Sequence, residues 1–184
     1  HFGKDHGEPR RYVSDPIDEL VALGANLLIN LSASPFWADK RKVRQTMLQA
    51  QAKRHSLPLL VVNQVGAHDD LVFDGGSMAI DAAGDVQGSC KEFATDLLLV
   101  EVSEDHRTVT TEERRRHDFG EAGEIEACLD ALVLGLRDYA TKCGFRSVVL
   151  GLSGGIDSAL TAAIAALALG PENVYGVALP SKYS

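Results

Sequence analysis

The chain has 184 residues, is 45% hydrophobic and 24% charged, and carries a net charge of −8 with a pI near 5.2. That is ordinary globular composition, with room for one large domain or two small ones. The acidic balance argues against a broad nucleic-acid surface, because phosphate backbones need clustered Lys and Arg. The one basic cluster, Arg114 to His117, is flanked by Glu112, Glu113, Asp118 and Glu121 and reads as solvated linker. Cys90, Cys128 and Cys143 are few, odd in number and without metal spacing, which fits a reducing cytosol better than a disulfide framework. Ser147 to Pro171 carries only Asp157 as a charge, but a Gly-Gly pair and serines break it into pieces too short for a bilayer, so no membrane partner is expected.

In chain order, Asp15-Pro16 reads as an N-cap and first helical residue, followed by a Gly turn and a buried strand at Leu27 to Leu31. Lys40 to His55 has helical periodicity through Val43, Met47, Leu48 and Ala52. Trp37 is expected to pack at the start of that helix. "LPLLVVNQVG" reads as one further strand. "DLVFDGGSMAIDAAGDVQGSC" alternates and turns at Gly75-Gly76 and Gly84-Asp85, as a β-hairpin would. Asp69, Asp70 and Asp74 read as a structural loop with its strand rather than a metal site, and His68 as a loop residue. "DLLLVEV" is another strand.

Ser103 to Gly123 is charged and nearly devoid of apolar residues, the best candidate for a linker. Glu124 to Lys142 follows as a helix with Ile125, Leu129, Leu132, Leu136 and Tyr139 on one face. Then come a strand at "RSVVLGL", a helix from Asp157 to Leu169 closed by Gly170-Pro171, and a strand at "NVYGVALP". Strand, turn, helix and strand predict a right-handed βαβ unit and a parallel sheet. The opening "HFGKDHGEPRRY", without Met, and the closing "LPSKYS" suggest a piece of a longer protein.

The chemistry concentrates in "GLSGGIDSAL", at the strand-to-helix turn. A helix N-terminus presents free N–H groups and about half a positive charge. Gly154 and Gly155 let the backbone approach an anion closely, and Ser153 and Ser158 add hydroxyls, a set that suits a polyphosphate. Asp157 fits there when Mg²⁺ lies between it and the phosphates. The plainer alternative is a glycine turn with Asp157 as a helix cap.

"LGLSGGIDSA" resembles the pyrophosphate loop of the N-type ATP pyrophosphatases, which implies that Gly151, Leu152, Ser153, Gly154, Gly155, Ile156, Asp157 and Ser158 bind ATP, with Asp157 on Mg²⁺. In that family AMP is transferred to a substrate oxygen, pyrophosphate leaves, and a nitrogen or sulfur nucleophile displaces AMP. The loop is shared by NAD, GMP and asparagine synthetases and by tRNA-thiolating enzymes, so it does not choose among them.

The preceding residues narrow the choice. "NLSASPF", "VNQVG" and "DLVFDGGS" resemble the later half of a nitrilase-like amidase domain, and more narrowly the glutaminase domain of the glutamine-dependent NAD synthetases. One departure is "GAHDDLVFDG", where that family has a Glu before Leu71. The resemblance implies an α/β fold: the C-terminal part of a nitrilase-like α-β-β-α sandwich (1–103), a linker (104–122), and the start of a parallel-sheet ATP pyrophosphatase domain (123–184). It implies a cytoplasmic homo-oligomer that takes deamido-NAD, L-glutamine and ATP and yields NAD, AMP, pyrophosphate and glutamate. It implies glutamine contacts at Ser34 and Lys40, and leaves a contact of Lys182 with phosphate open against a plain loop role. The family's Glu–Lys–Cys triad falls before His1 by this alignment and none of the three cysteines matches it, so no glutaminase catalytic residue is assigned. An ammonia-using amidoligase and a non-catalytic nucleotide-binding homologue stay open as alternatives.

Overall fold

A computed structural model describes residues 15–112, 117 and 120–179. Helix α1 (Pro16–Ala22) begins as its sequence requires: the Asp15 side chain accepts from the Ile17 N–H at 3.0 Å, and Pro16 opens the first turn. Strand β1 (Leu28–Ser32) follows, then helix α2 (Lys40–His55) and strand β2 (Leu59–Asn63), parallel to β1 in the register Leu28–Leu59 to Ser32–Asn63. Strands β3 (Val65–His68) and β4 (Leu71–Asp74) form an antiparallel hairpin. Strands β5 (Met78–Ile80) and β6 (Val86–Ser89) are antiparallel to each other, and β5 is antiparallel to β2, giving the sheet order β1-β2-β5-β6. Strands β7 (Val100–Val102) and β8 (Val109–Thr111) make a second small ribbon.

The core lies between this sheet and α2. Leu28, Met47, Leu48, Ala52, Leu59, Val61, Met78 and Ile80 form one buried cluster. Each large side chain buried there contributes about 1.5–3 kcal/mol.

Helix α3 (Glu121–Lys142) connects the two halves of the chain. It packs on β3 and β4, where a Cβ at Gly135 would stand 3.5 Å from Val72 Cγ2. Asp138 accepts the Ala67 N–H at 2.7 Å, and Lys142 Nζ donates to the Ala67 carbonyl. Beyond it, strand β9 (Val148–Leu152), helix α4 (Ile156–Leu169), a 3₁₀ turn (Pro171–Asn173) and strand β10 (Val174–Ala178) form a βαβ unit with parallel strands. Arg137 of α3 fastens the far end of α4, donating to the Ala168 carbonyl at 3.1 Å.

Several sequence expectations need correction. "LPLLVVNQVG" is two strands, broken at Gln64. Gly75-Gly76 is not a hairpin turn: both glycines have positive φ (65° and 62°), and the chain leaves the β3–β4 hairpin there to join the larger sheet at β5. The β3–β4 turn falls instead at Asp69-Asp70, with Asp69 left-handed at φ 52°. Of "DLLLVEV" only Val100–Val102 is strand. Part of the charged stretch read as linker is folded, since Val109 pairs with Val102 and is fully buried. Ile29 and Leu31 of β1 are exposed, as are Val43, Ile125, Leu132 and Tyr139. The buried side of α3 is instead Ala127, Ala131, Leu134 and Ala140. Among the described residues no helix is long and apolar enough to cross a membrane.

Candidate functional site

Two sites were expected, and they differ in construction. At the C-terminal end of β1, the chain turns through Ser34-Pro35 toward α2. The Ser34 N–H donates to Asn63 Oδ1 at 3.0 Å. Asn63 Nδ2 donates in turn to Asp74 Oδ1 at 3.1 Å and to the Gly75 carbonyl at 2.9 Å. Asp74 is fully buried and is gripped by both Arg44 guanidinium nitrogens, at 2.9 and 2.7 Å. This fork-on-carboxylate geometry satisfies both charges out of water. Asp74 is thus committed to Arg44 and Asn63, and among the described residues no group of three His, Cys, Asp or Glu side chains could hold a metal.

Lys40 is the first residue of α2. Its ammonium donates to the Pro35 carbonyl at 2.9 Å, so the structure brings it onto the segment that carries Ser34. Burial, and then the neighbouring positive charge of Arg44, holds the Lys40 pKa below the usual lysine value. Trp37 does not pack at the helix start; it is 65% exposed, one turn from Lys40. Phe36 fills the inner position, edge-on to Phe93 at 5.3 Å between centroids. Arg41, Arg44, Asn63 and Asp74 were not foreseen as site residues. The signal available was faint: Arg44 stands four positions, and Arg41 seven, before the buried Leu48 of α2.

The second site is the turn between β9 and α4. Gly154 has φ +85°, a left-handed conformation that favours glycine. Gly155 is the N-cap at φ −84°, where any residue fits; a Cβ there would meet only Ser153 Oγ, at 3.5 Å. Nothing in the local packing demands the second glycine. Ser158 Oγ donates to the Gly155 carbonyl at 2.9 Å and lies 3.3 Å from Ser153 Oγ, so the two hydroxyls sit side by side. The Gly155 N–H has a long contact with Ser153 Oγ at 3.4 Å. Among the described residues, the N–H groups of Gly154, Ile156, Asp157 and Ser158 meet no hydrogen-bond acceptor.

Asp157 is the second residue of α4, not its cap, and its side chain is exposed. The capping alternative is thereby removed. Ile156 is 80% exposed at the same rim. Gly151 and Leu152 are the last residues of β9, paired with Val177 and Ala178, immediately before the turn. Lys182, the opening "HFGKDHGEPRRY" and Arg114 to Arg116 lie outside the described residues.

The donor set fits a polyphosphate: a row of free amides, two hydroxyls and a helix N-terminus. One carboxylate cannot hold Mg²⁺ alone, so an ion at Asp157 would complete its shell with phosphate and water oxygens, as Mg²⁺ commonly does.

Comparisons with known proteins give two family models that match successive stretches of the chain. The chain belongs to the carbon-nitrogen hydrolase family, whose model matches residues 8–110, and the NAD synthase model matches residues 128–184. Relatives that match across both stretches are named glutamine-dependent NAD(+) synthetases. The Synechocystis glutamine-dependent NAD(+) synthetase is 44% identical over 173 residues, which are 94% of this chain and 30% of that protein. The Thermotoga maritima one is 39% identical over 92% of this chain and 35% of its own length. The solved structure of the Acinetobacter baumannii synthetase in complex with ADP superposes with a TM-score of 0.83 at 37% identity, covering 91% of this chain and 31% of that one. The chain thus spans about a third of the length of these relatives.

Proposed function

We propose that this chain is part of an enzyme that amidates deamido-NAD to NAD, spending ATP to AMP and pyrophosphate and drawing its nitrogen from L-glutamine. The observation that carries the reading is the exposed turn Ser153 to Ser158, with four backbone N–H groups that meet no acceptor among the described residues and a second glycine the backbone does not need. These donors are preorganised to stabilise the charge that develops on a departing pyrophosphate. Asp157 would hold Mg²⁺ against it. When bound, the metal supplies charge neutralisation on the phosphates.

In this reading Ser34 and Lys40 contact glutamine in the carbon-nitrogen hydrolase half. The Asn63–Asp74–Arg44 chain supports them by fixing the Ser34 backbone. The boundary between the two halves then falls after the β7–β8 ribbon and before α3. A homo-oligomer in the cytoplasm is the corresponding expectation for the whole protein.

The test is pyrophosphate release from ATP and deamido-NAD by a protein of the relatives' full length carrying this sequence, with glutamine or ammonium as nitrogen source. Both should support NAD formation, with glutamate released only in the first. Asp157→Ala should weaken ATP binding when Mg²⁺ is present and leave it unchanged without Mg²⁺. Equal affinities for the variant and the parent in Mg²⁺ would reject the assignment of Asp157. The 184 residues by themselves should form no NAD.

A further inference from the structure

The start of α2 is closed by a residue that does not belong to α2. A helix's first N–H groups need acceptors, and the usual remedy is a capping box, in which a Glu at the third helical position reaches back to the N-cap N–H. Here the N-cap is Asp39, whose own side chain makes no capping bond, and the third helical residue is Lys42, which has no acceptor to offer. Glu124, in the first turn of α3, takes the role from 85 residues away: its Oε2 accepts the Asp39 N–H at 3.1 Å. Asp39 is held there at φ 67°, a left-handed conformation unfavourable for a non-glycine residue.

The other Glu124 oxygen accepts from Arg41 Nη1 at 3.1 Å, and the same nitrogen reaches the Gly123 carbonyl at 3.2 Å. Arg41 is 4% exposed, and the rest of its guanidinium is clamped on Glu92, Nε at 2.9 Å and Nη2 at 2.6 Å. Glu92 also lies 3.3 Å from His117 Nδ1. Asp39 and Arg41 flank Lys40 on both sides, so both neighbours of Lys40 are tied to the first turn of α3.

We infer that Glu124 is a positioning residue for glutamine use: by capping Asp39 and pairing with Arg41 it sets where α2 begins, and hence where Lys40 is aimed. The inference rests on the proposed role of Lys40 as a glutamine contact. It gives the two halves of the molecule a specific mechanical link, because α3 also fastens α4, which carries the phosphate turn.

The experiment uses a protein of the relatives' full length and compares the parent with Glu124→Ala and Glu124→Gln. NAD synthesis is measured with glutamine and, separately, with saturating ammonium. Loss of a charge-assisted cap should raise KM for glutamine by about tenfold in E124A, while the ammonium-dependent rate is unchanged. E124Q retains one acceptor oxygen and should fall between the two. An unchanged glutamine KM in E124A overturns the inference. So does a parallel loss of the glutamine and ammonium rates in both variants, which is what a purely structural contact would give. If the parent protein itself releases no glutamate from glutamine, the underlying reading fails, and that failure appears before any substitution is made.

Discussion

The two candidate sites treat their polar groups in opposite ways. Behind Ser34 and Lys40, each side chain of the inner chain is already engaged: Arg44 with Asp74, Asp74 with Asn63, Asn63 with the Ser34 backbone. At Ser153 to Ser158 the N–H groups of Gly154, Ile156, Asp157 and Ser158 meet no acceptor among the described residues, and that of Gly155 has only the long contact with Ser153 Oγ. The first region spends its hydrogen bonds on holding itself still; the second leaves donors open, as the proposed anion site requires. Substitutions should therefore damage stability in the first and affinity in the second.

The largest effect should come from Asp74→Ala. It leaves Arg44 charged, buried and unpaired, and breaking a buried pair from one side costs about 3–5 kcal/mol. Urea or thermal unfolding measures it; a loss below about 1 kcal/mol would mean the pair is not buried as described.

Acid should come next. Burial alone would raise the Glu92 carboxyl, but hydrogen bonds from His117 and Arg41 outweigh it and hold the pKa below the usual glutamate value. A carboxyl depressed in the folded state gives stability that is complete above its unfolded pKa of about 4.3 and is lost as pH falls through the lower folded value. Unfolding free energy measured downward from pH 6 should fall through that window, and Glu92→Gln should flatten the fall.

The smallest effects on stability belong to the turn. Gly154→Ala forces a Cβ into left-handed backbone and should cost about 1 kcal/mol. Gly155→Ala should stay within about 0.5 kcal/mol of the parent, yet weaken ATP binding, because its Cβ enters the space where the anion would sit. Equal ATP affinity for G155A and the parent would erase the contrast between the regions.

How much of this was legible in the sequence follows the same divide. The glycine-serine turn could be read because its signals are local: strand, two glycines, two serines and a helix within ten residues. Asp15-Pro16, Gly170-Pro171 and the four helices were legible for the same reason. The buried arginines were not, because Arg41 and Arg44 are tolerable in a core only through partners 30 to 83 positions away. Periodicity alone assigned that face to Val43, which is exposed. It likewise placed Ile125, Leu132 and Tyr139 on a single apolar face of α3, but these three side chains are exposed among the described residues. The β3–β4 turn at Asp69-Asp70 was hidden because a Gly-Gly pair six residues later gave the louder turn signal.

The grip of Arg137 on the last carbonyls of α4 has a lever-like consequence. Fourteen residues make a rod of roughly 21 Å, anchored at its tail while its head carries the phosphate turn. If the rod tilts about its fixed end, the widest swing falls at Asp157. Spin labels placed near the head and near the tail should therefore report unequal travel when nucleotide arrives.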